Sequence, residues 1–325
     1  MIGNISEIIK KIAEKEKKRK FLSKSLRKKI NDRIKVVEKR EINTTIAGID
    51  GGLLKKDFHL FDIIIRRAIS VLFTYNKNKI KSVNYYPSLV KSDVLIYNGD
   101  ELNTFANLKR VEIELETAIE SWKKYQPSMI LLDGSIVPHP SLHVSESSSL
   151  YDLYKHVLKL YQSLYKLSES CMIAGIVKDS RSKKITELWN KKFFDSQNEL
   201  LKTTRDTNIL FYILKTGERT EIIDYQNIEN LETKKEVIEK WPIKSCYMKT
   251  AEHDRPIRID FLAHKDKIDK LFSLIYTLCF FKQCAIPNIL IEADKRARLS
   301  EKEFIHFKNI LPLEIFGMRR NNKIL

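Results

Sequence analysis

Two aspartates each close a short apolar run and stand directly before glycine: Asp50 in TTIAGIDGG and Asp133 in SMILLDGS. An acid placed where a buried strand runs out is exposed at a sheet edge, and Gly51 and Gly52 would let a phosphate backbone approach closely there. Two such carboxylates side by side repel unless a cation sits between them, and hard divalent ions take oxygen ligands. A third acid is expected from the helix between the two runs. There Glu112 and Glu116 stand four apart on the flank of the apolar stripe, and Glu114 is expected to face solvent. Such a set would hold a pair of Mg²⁺ or Mn²⁺ ions ~4 Å apart, which activates water and steadies the leaving oxygen in phosphodiester hydrolysis. An Asp before Gly is ordinary turn chemistry by itself. The matched pair carries the reading.

Lys178, in GIVKDSRS, follows another apolar run and would contact the scissile phosphate or the charge that develops on it. Arg181, Lys183 and Lys184 extend this basic patch, and Arg296 and Arg298 form a second one; both suit grips on flanking phosphates. His139 and His143 lie four apart, but Pro138 and Pro140 break any helix that would turn both rings toward one ion. His253 sits in an equally loop-like stretch and has no assigned role. Cys171, Cys246, Cys279 and Cys284 form no CxxC pair, which argues against structural zinc and a disulfide framework. No GxxxxGKS or GxxxxGKT occurs, so ATP-driven movement would have to come from a partner.

Lys and Arg total 59 against 42 Asp and Glu, a formal charge of +17 that favours a polyanionic partner, with nucleic acid the first candidate. A solubilising Lys- and Glu-rich surface, as in proteins from hot environments, explains the same excess, and the low glycine count of 9 agrees with it. An apolar share of 43% with 31% charged residues is that of a folded protein, not a disordered one. No apolar run reaches the ~18 to 20 residues of a membrane span. The N-terminus lacks a secretory h-region, so no membrane partner and a cytoplasmic location are expected.

The elements that must position these residues follow from periodicity. Residues 1–41 are expected to form a basic helical arm, with Ile5, Ile8, Ile12, Leu22, Leu26, Ile30 and Ile34 at roughly helical intervals. The arm would lie on its own domain, on a second subunit or on phosphates; charge alone does not choose. Residues 42–325 are expected to form one domain with an insertion at about 180–242. Its order is three strands, the last two a hairpin about Asn76–Asn78, then a helix at 107–125, a buried strand through Asp133, a second helix at 148–167 and a buried strand at 171–179. The insertion has a candidate strand at Ile209–Leu214. Strands at Ile243–Thr250 and Pro256–Leu262 and a helix at about Asp266–Phe281 follow. This is an α/β chain with an RNase H-like mixed sheet flanked by helices: an antiparallel meander extended by parallel strands through helical crossovers.

With these residues in place, the chain resembles the NurA nucleases, through AGIDGG, the helix Glu, ILLDGSI, GIVKDSRS, Arg258-Ile259-Asp260 and IPNILIEADKRARLS. The resemblance implies an RNase H-like fold and a Mn²⁺- or Mg²⁺-dependent deoxyribonuclease with 5′-3′ exonuclease and single-strand endonuclease action. It also implies a homodimer enclosing a channel, and DNA double-strand-break end resection with a HerA-type hexameric ATPase. By position, Asp50, Asp133 and either Glu116 or Glu112 would bind metal, with Lys178 at the phosphate. Where the family shows Tyr-Pro and later Ala-His, this chain has Ile286-Pro287 and Ala293-Asp294. Asp294 can ligate a hard metal but cannot act as an imidazole base. A DNA-clamping, translocase-docking subunit without cleavage is the alternative this departure leaves open. A recombinase on the same fold would need a site-specific DNA-binding module, and none is evident.

Overall fold

The computed structural model describes residues 2–57, 61–224, 240–280 and 284–308. The chain starts with helix α1 (Ile2–Lys29) and the short strand β1 (Lys35–Val36). A long hairpin follows, β2 (Thr45–Asp57) with β3 (Asp62–Asn76), paired antiparallel along the whole of β2. Lys77 and Asn78 then take positive φ values of 48° and 65°, the backbone of a tight hairpin turn, and return the chain as β4 (Lys79–Tyr86). β5 (Asp93–Tyr97) pairs with the other part of β3.

Helix α2 (Leu102–Tyr125), β6 (Met129–Asp133), α3 (Tyr151–Lys166) and β7 (Met172–Val177) come next, with β6 parallel to both β2 and β7. Beyond them lie α4 (Lys184–Phe194), α5 (Glu199–Thr203), α6 (Asp206–Ile213), β8 (Glu218–Arg219), β9 (Ile223–Asp224), β10 (Lys244–Lys249) and β11 (Ile257–Leu262). Helices α7 (Ile268–Leu278), α8 (Asn288–Ala297) and α9 (Glu301–Lys308) end the described chain. The sheet runs β1-β8-β10-β11-β7-β6-β2-β3-β4, with β5 on β3 and β9 on β10. Its meander β2-β3-β4 joined to parallel β6 and β7 is the RNase H-like arrangement that the sequence pattern predicts.

Strand alternation divides the core into two layers. Ile46, Val71, Phe73, Met129, Leu131 and Ala174 pack under α7 and α8, through Leu271, Phe272, Ile275, Ile289 and Leu290. Ala47, Ile49, Leu72, Ile130, Leu132 and Ile173 pack under α2 and α3, through Leu108, Leu115, Ala118, Leu158 and Tyr165. Because β6 and β7 are covered on both faces, they read in sequence as continuous apolar runs. A third cluster joins Leu26 of α1 and Ile30 just after it to Ile185, Trp189, Ile209, Leu210 and Ile213. Arg27 reinforces it with a forked pair to Glu218 at 2.6 and 2.8 Å. Among the described residues no helix is long and apolar enough to cross a membrane.

Two expectations about elements need correction. Ile209–Leu214 is helical, within and just after α6, because Ile209, Leu210 and Ile213 turn one helical face into the third cluster. The first strand does not end at Asp50: it continues to Asp57 because β3 goes on hydrogen-bonding to it. Within the expected insertion, 225–239 lies outside the described residues, as does Phe281 at the expected end of α7.

Candidate metal centre

The parallel ladder between β2 and β6 ends at Ile49↔Leu132, so Asp50 and Asp133 are the first residues past it. Asp50 therefore occupies the rim expected of a strand end although its own strand continues. By alternation both side chains point to the α8 face, as do Gly48 and Gly52. Those two glycines explain how a helix comes so near. A Cβ on Gly48 would lie 3.0 Å from the Ile289 side chain, and one on Gly52 would collide with the Ala297 carbonyl. Helix α8 thus lies flat along β2 and carries Asp294 to the two strand acids. Ligand oxygens of Asp50, Asp133 and Asp294 all fall within 4.8 Å of one another.

A fourth carboxylate arrives from the other face. Glu114 of α2 is buried at 8% exposure and packs on Gly51, whose Cβ would stand 2.5 Å from the Glu114 carboxylate. The two glycines after Asp50 are therefore filled by Glu114 and by the end of α8, not kept open for a phosphate backbone. Arg110 donates to Glu114 Oε1 at 2.7 Å, and Lys178 forms an ion pair with Asp133.

The electrostatics of this group are those of a cation site. Burial, then the neighbouring Asp133 charge, pushes the Asp50 carboxyl up to about 7, against the pull of the Gly51 N–H and Lys178; Asp294 adds to the rise. Burial also raises Asp133, against its hydrogen bond and ion pair with Lys178. Glu114 is likewise pushed up to about 7, by burial first, with Arg110 lowering it and the Asp50 and Asp133 charges raising it. Three converging aspartates, with the buried charge of Glu114 behind the strand, opposed by one lysine and one arginine, suit a hard divalent ion, which would relieve their mutual repulsion.

The helix ligand expected at Glu112 or Glu116 is not brought to Asp50 and Asp133. Glu112 is held by Arg66 at 2.6 Å and Lys109 at 3.0 Å, and Glu116 is part-exposed beside His156 at 3.9 Å. Glu114, expected to face solvent, is instead buried against the strand that carries Asp50. It lies three residues after Val111 and four before Ala118, both buried, so the flank beside the apolar stripe is itself covered by the sheet rim. The sequence carries only that spacing, which a solvated flank shares; the pairing with Gly51 is visible in the structure alone.

Arg181, Lys183 and Lys184 line a cleft of about 790 Å³ together with Ser135, which lies two residues after Asp133, and His139, Ser180 and Arg258. Arg296 and Arg298 are not in its lining. Arg296 is bonded to Glu292 at 2.6 Å with its guanidinium over the Tyr85 ring at 3.9 Å, and Arg298 follows α8, exposed. Ile286 packs against the core under α7 and α8. His143 stands edge-on to Tyr154. Sequence reasoning gave no role to Arg258 and Asp260 beyond their place in a motif. Asp260 is wholly buried, accepting from Ser135, Ser245 and Arg258.

The family model for the NurA domain matches residues 44–299. The crystal structure of the NurA nuclease from Sulfolobus solfataricus matches with a TM-score of 0.64 and 18% identity, covering 94% of this chain and 93% of that one. A crystal structure of NurA bound to dAMP and manganese matches with a TM-score of 0.59 and 14% identity, covering 96% and 98%. One of NurA with manganese gives 0.57 and 12%, covering 95% and 98%. At these identities the likeness is one of fold. No curated protein matches the sequence significantly.

Proposed function

Because the chain belongs to the NurA family, we propose that it is a divalent-metal-dependent deoxyribonuclease whose centre is formed by Asp50, Asp133, Asp294 and Glu114. The observation that carries this reading is the meeting of three aspartates, from two strands and a helix, within 4.8 Å of one another. Mn²⁺ or Mg²⁺, as a pair of ions, is the proposed cofactor; manganese in the NurA structures supports that choice. Bound there, the metal supplies Lewis-acid activation of water and charge stabilisation of the leaving 3′ oxygen.

The chain's own residues do the rest. Lys178 holds the Asp133 carboxylate in place and brings a cation to the phosphate that would lie on it. Arg110 orients Glu114, which replaces Glu112 and Glu116 as the proposed helix ligand. Arg181, Lys183 and Lys184 bind flanking phosphates in the cleft, and Arg298 is a further exposed cation near the end of α8. The dAMP in a NurA structure supports a DNA substrate, single-stranded or at duplex ends.

The finer reading rests on the family resemblance: 5′-3′ exonuclease and single-strand endonuclease action, a homodimer, end resection with a HerA-type hexameric ATPase, and a cytoplasmic location. The alternative DNA-clamping subunit rests on Ile286 and Asp294 standing where the family shows Tyr and His. The convergence of Asp294 on the strand acids favours the enzyme. The deciding experiment compares wild type with Asp50→Ala on end-labelled single- and double-stranded DNA with Mn²⁺ or Mg²⁺. Cleavage by wild type that the variant lacks supports the nuclease; negligible cleavage by both, with binding intact, supports the clamp.

A further inference from the structure

Asp260 is 0% exposed and stands apart from the acidic centre. Its carboxylate accepts from Ser135 Oγ at 2.6 Å, Ser245 Oγ at 2.7 Å and Arg258 Nη2 at 2.9 Å. A buried ion pair of this kind adds little stability over apolar residues of the same volume, so its presence calls for another account. The chain path supplies one. Asp260 of β11 lies opposite Gly175 of β7, and the loop leaving β6 crosses over that glycine. A Cβ on Gly175 would stand 2.6 Å from the Ile136 nitrogen and would strike the Gly134 carbonyl. The crossing brings Ser135, two residues after Asp133, onto Asp260.

Arg258 lies two residues before Asp260 on the same face of β11, while Ile257, Ile259 and Phe261 fill the core on the other. Its guanidinium lines the cleft whose wall includes Ser135, His139, Arg181 and Lys183. The acids of that lining are Asp179, which pairs with Arg255 at 2.8 Å, and Glu187, so the cleft keeps an excess of positive charge. One buried carboxylate thus fixes both the loop that follows Asp133 and a cation of the cleft beside it.

We propose that this cleft is a subsite for a DNA phosphodiester flanking the one that is cut, with Arg258 as its anchor and Asp260 as the positioning residue. The proposal rests on the nuclease reading of the acidic centre. A planar guanidinium held on a carboxylate is pre-organised for a phosphate, and a neutral replacement forfeits a charge-assisted contact. Arg258→Gln raises KM about 10- to 100-fold with a smaller change in kcat. Asp260→Asn changes both, because the loop that follows Asp133 loses its hold along with Arg258.

The test uses full-length protein and single-stranded oligonucleotides carrying one uncharged methylphosphonate at successive positions about the cut. Wild-type cleavage is impaired by the substitution at one flanking position, and Arg258→Gln is expected to lose that sensitivity while keeping the others. Arg258→Lys, which keeps the charge, retains part of it and serves if the glutamine variant fails to fold. In a second arm, binding without divalent ions and therefore without cleavage is followed against salt, and Arg258→Gln lowers the slope by about one. Unchanged methylphosphonate sensitivity at every position together with an unchanged salt slope would overturn the subsite. If wild type does not cleave but the slope still falls, the nuclease reading fails and the flanking assignment with it, while Arg258 is left as a plain DNA-phosphate contact.

Discussion

Burial holds Asp50 and Glu114 near pH 7 as acids, and at the pH where half of each is protonated a divalent ion must displace those protons. Metal binding below neutrality should therefore release protons, and affinity for Mn²⁺ should climb as pH rises from 5.5 toward about 7.5, by about tenfold per unit for each proton displaced. Calorimetry in two buffers of different ionisation enthalpy checks this; a proton count of zero at pH 6 would contradict it. Asp294→Asn removes a like charge that raises both Asp50 and Asp133. The metal-free variant should gain about 1 kcal/mol in stability while its Mn²⁺ affinity falls at least about tenfold, read by urea melts and titration. Asp50 and Asp133 were legible in sequence because each closes an apolar run before glycine. Glu114 was not, because a Glu beside a helix's apolar stripe is ordinarily solvated, and only the sheet rim and Gly51 show that this one is covered.

The elements matter through how closely two of them approach. Gly48 and Gly52 stand four apart on one face of β2, and α8 presses on both, so the helix that carries Asp294 is placed by missing side chains. A methyl at 52 meets the backbone carbonyl of Ala297, which cannot swing aside as a side-chain tip would. Gly52→Ala should cost about 2 to 4 kcal/mol and weaken Mn²⁺ binding as well, because relief of the clash lifts Asp294 from the strand acids. Denaturant melts with metal titration measure both; lost stability with unchanged affinity would show that α8 is not set by this contact. The hairpin, α2, β6, α3 and β7 follow from periodicity because each buries a face or both faces in a regular way. Ile209–Leu214 misled because a short apolar run has no period of its own, and its helix follows from packing against α1, far away in sequence. The run of β2 beyond Asp50 was hidden for a similar reason: its polar residues Lys55 and Lys56 are held in strand by pairing with β3, not by burial.

Across the whole molecule, two sets of carboxylates respond to pH in opposite senses. Asp50 and Glu114 have folded pKa values of about 7, above the 3.8 and 4.5 of the free groups. Between about pH 4 and 7 the folded chain binds protons that the unfolded chain has lost, so their contribution is full below the unfolded values and disappears as pH rises through 7. Glu218 shifts the other way: against burial, the forked pair from Arg27 and the Lys215 N–H lower its pKa, so its contribution is present above the unfolded value and lost as pH falls. That pair joins the α1 arm to β8, next to the edge strand β1, whereas the acidic centre lies at the rim of β2 and β6. Metal acts on one limb only. Without divalent ions these two groups should lower the melting temperature between about pH 5 and 7 and leave it level above that, and saturating Mn²⁺ should abolish or reverse the fall near neutrality. The acid limb below pH 4.5 should be the same in both, because protonation there removes the Arg27–Glu218 pair and the metal alike. Arg27→Ala should weaken the acid limb by removing the attraction that lowers Glu218, and should leave the neutral limb and its response to Mn²⁺ unchanged. A neutral limb that moved with Arg27 would mean that the arm and the acidic centre are energetically coupled through the sheet.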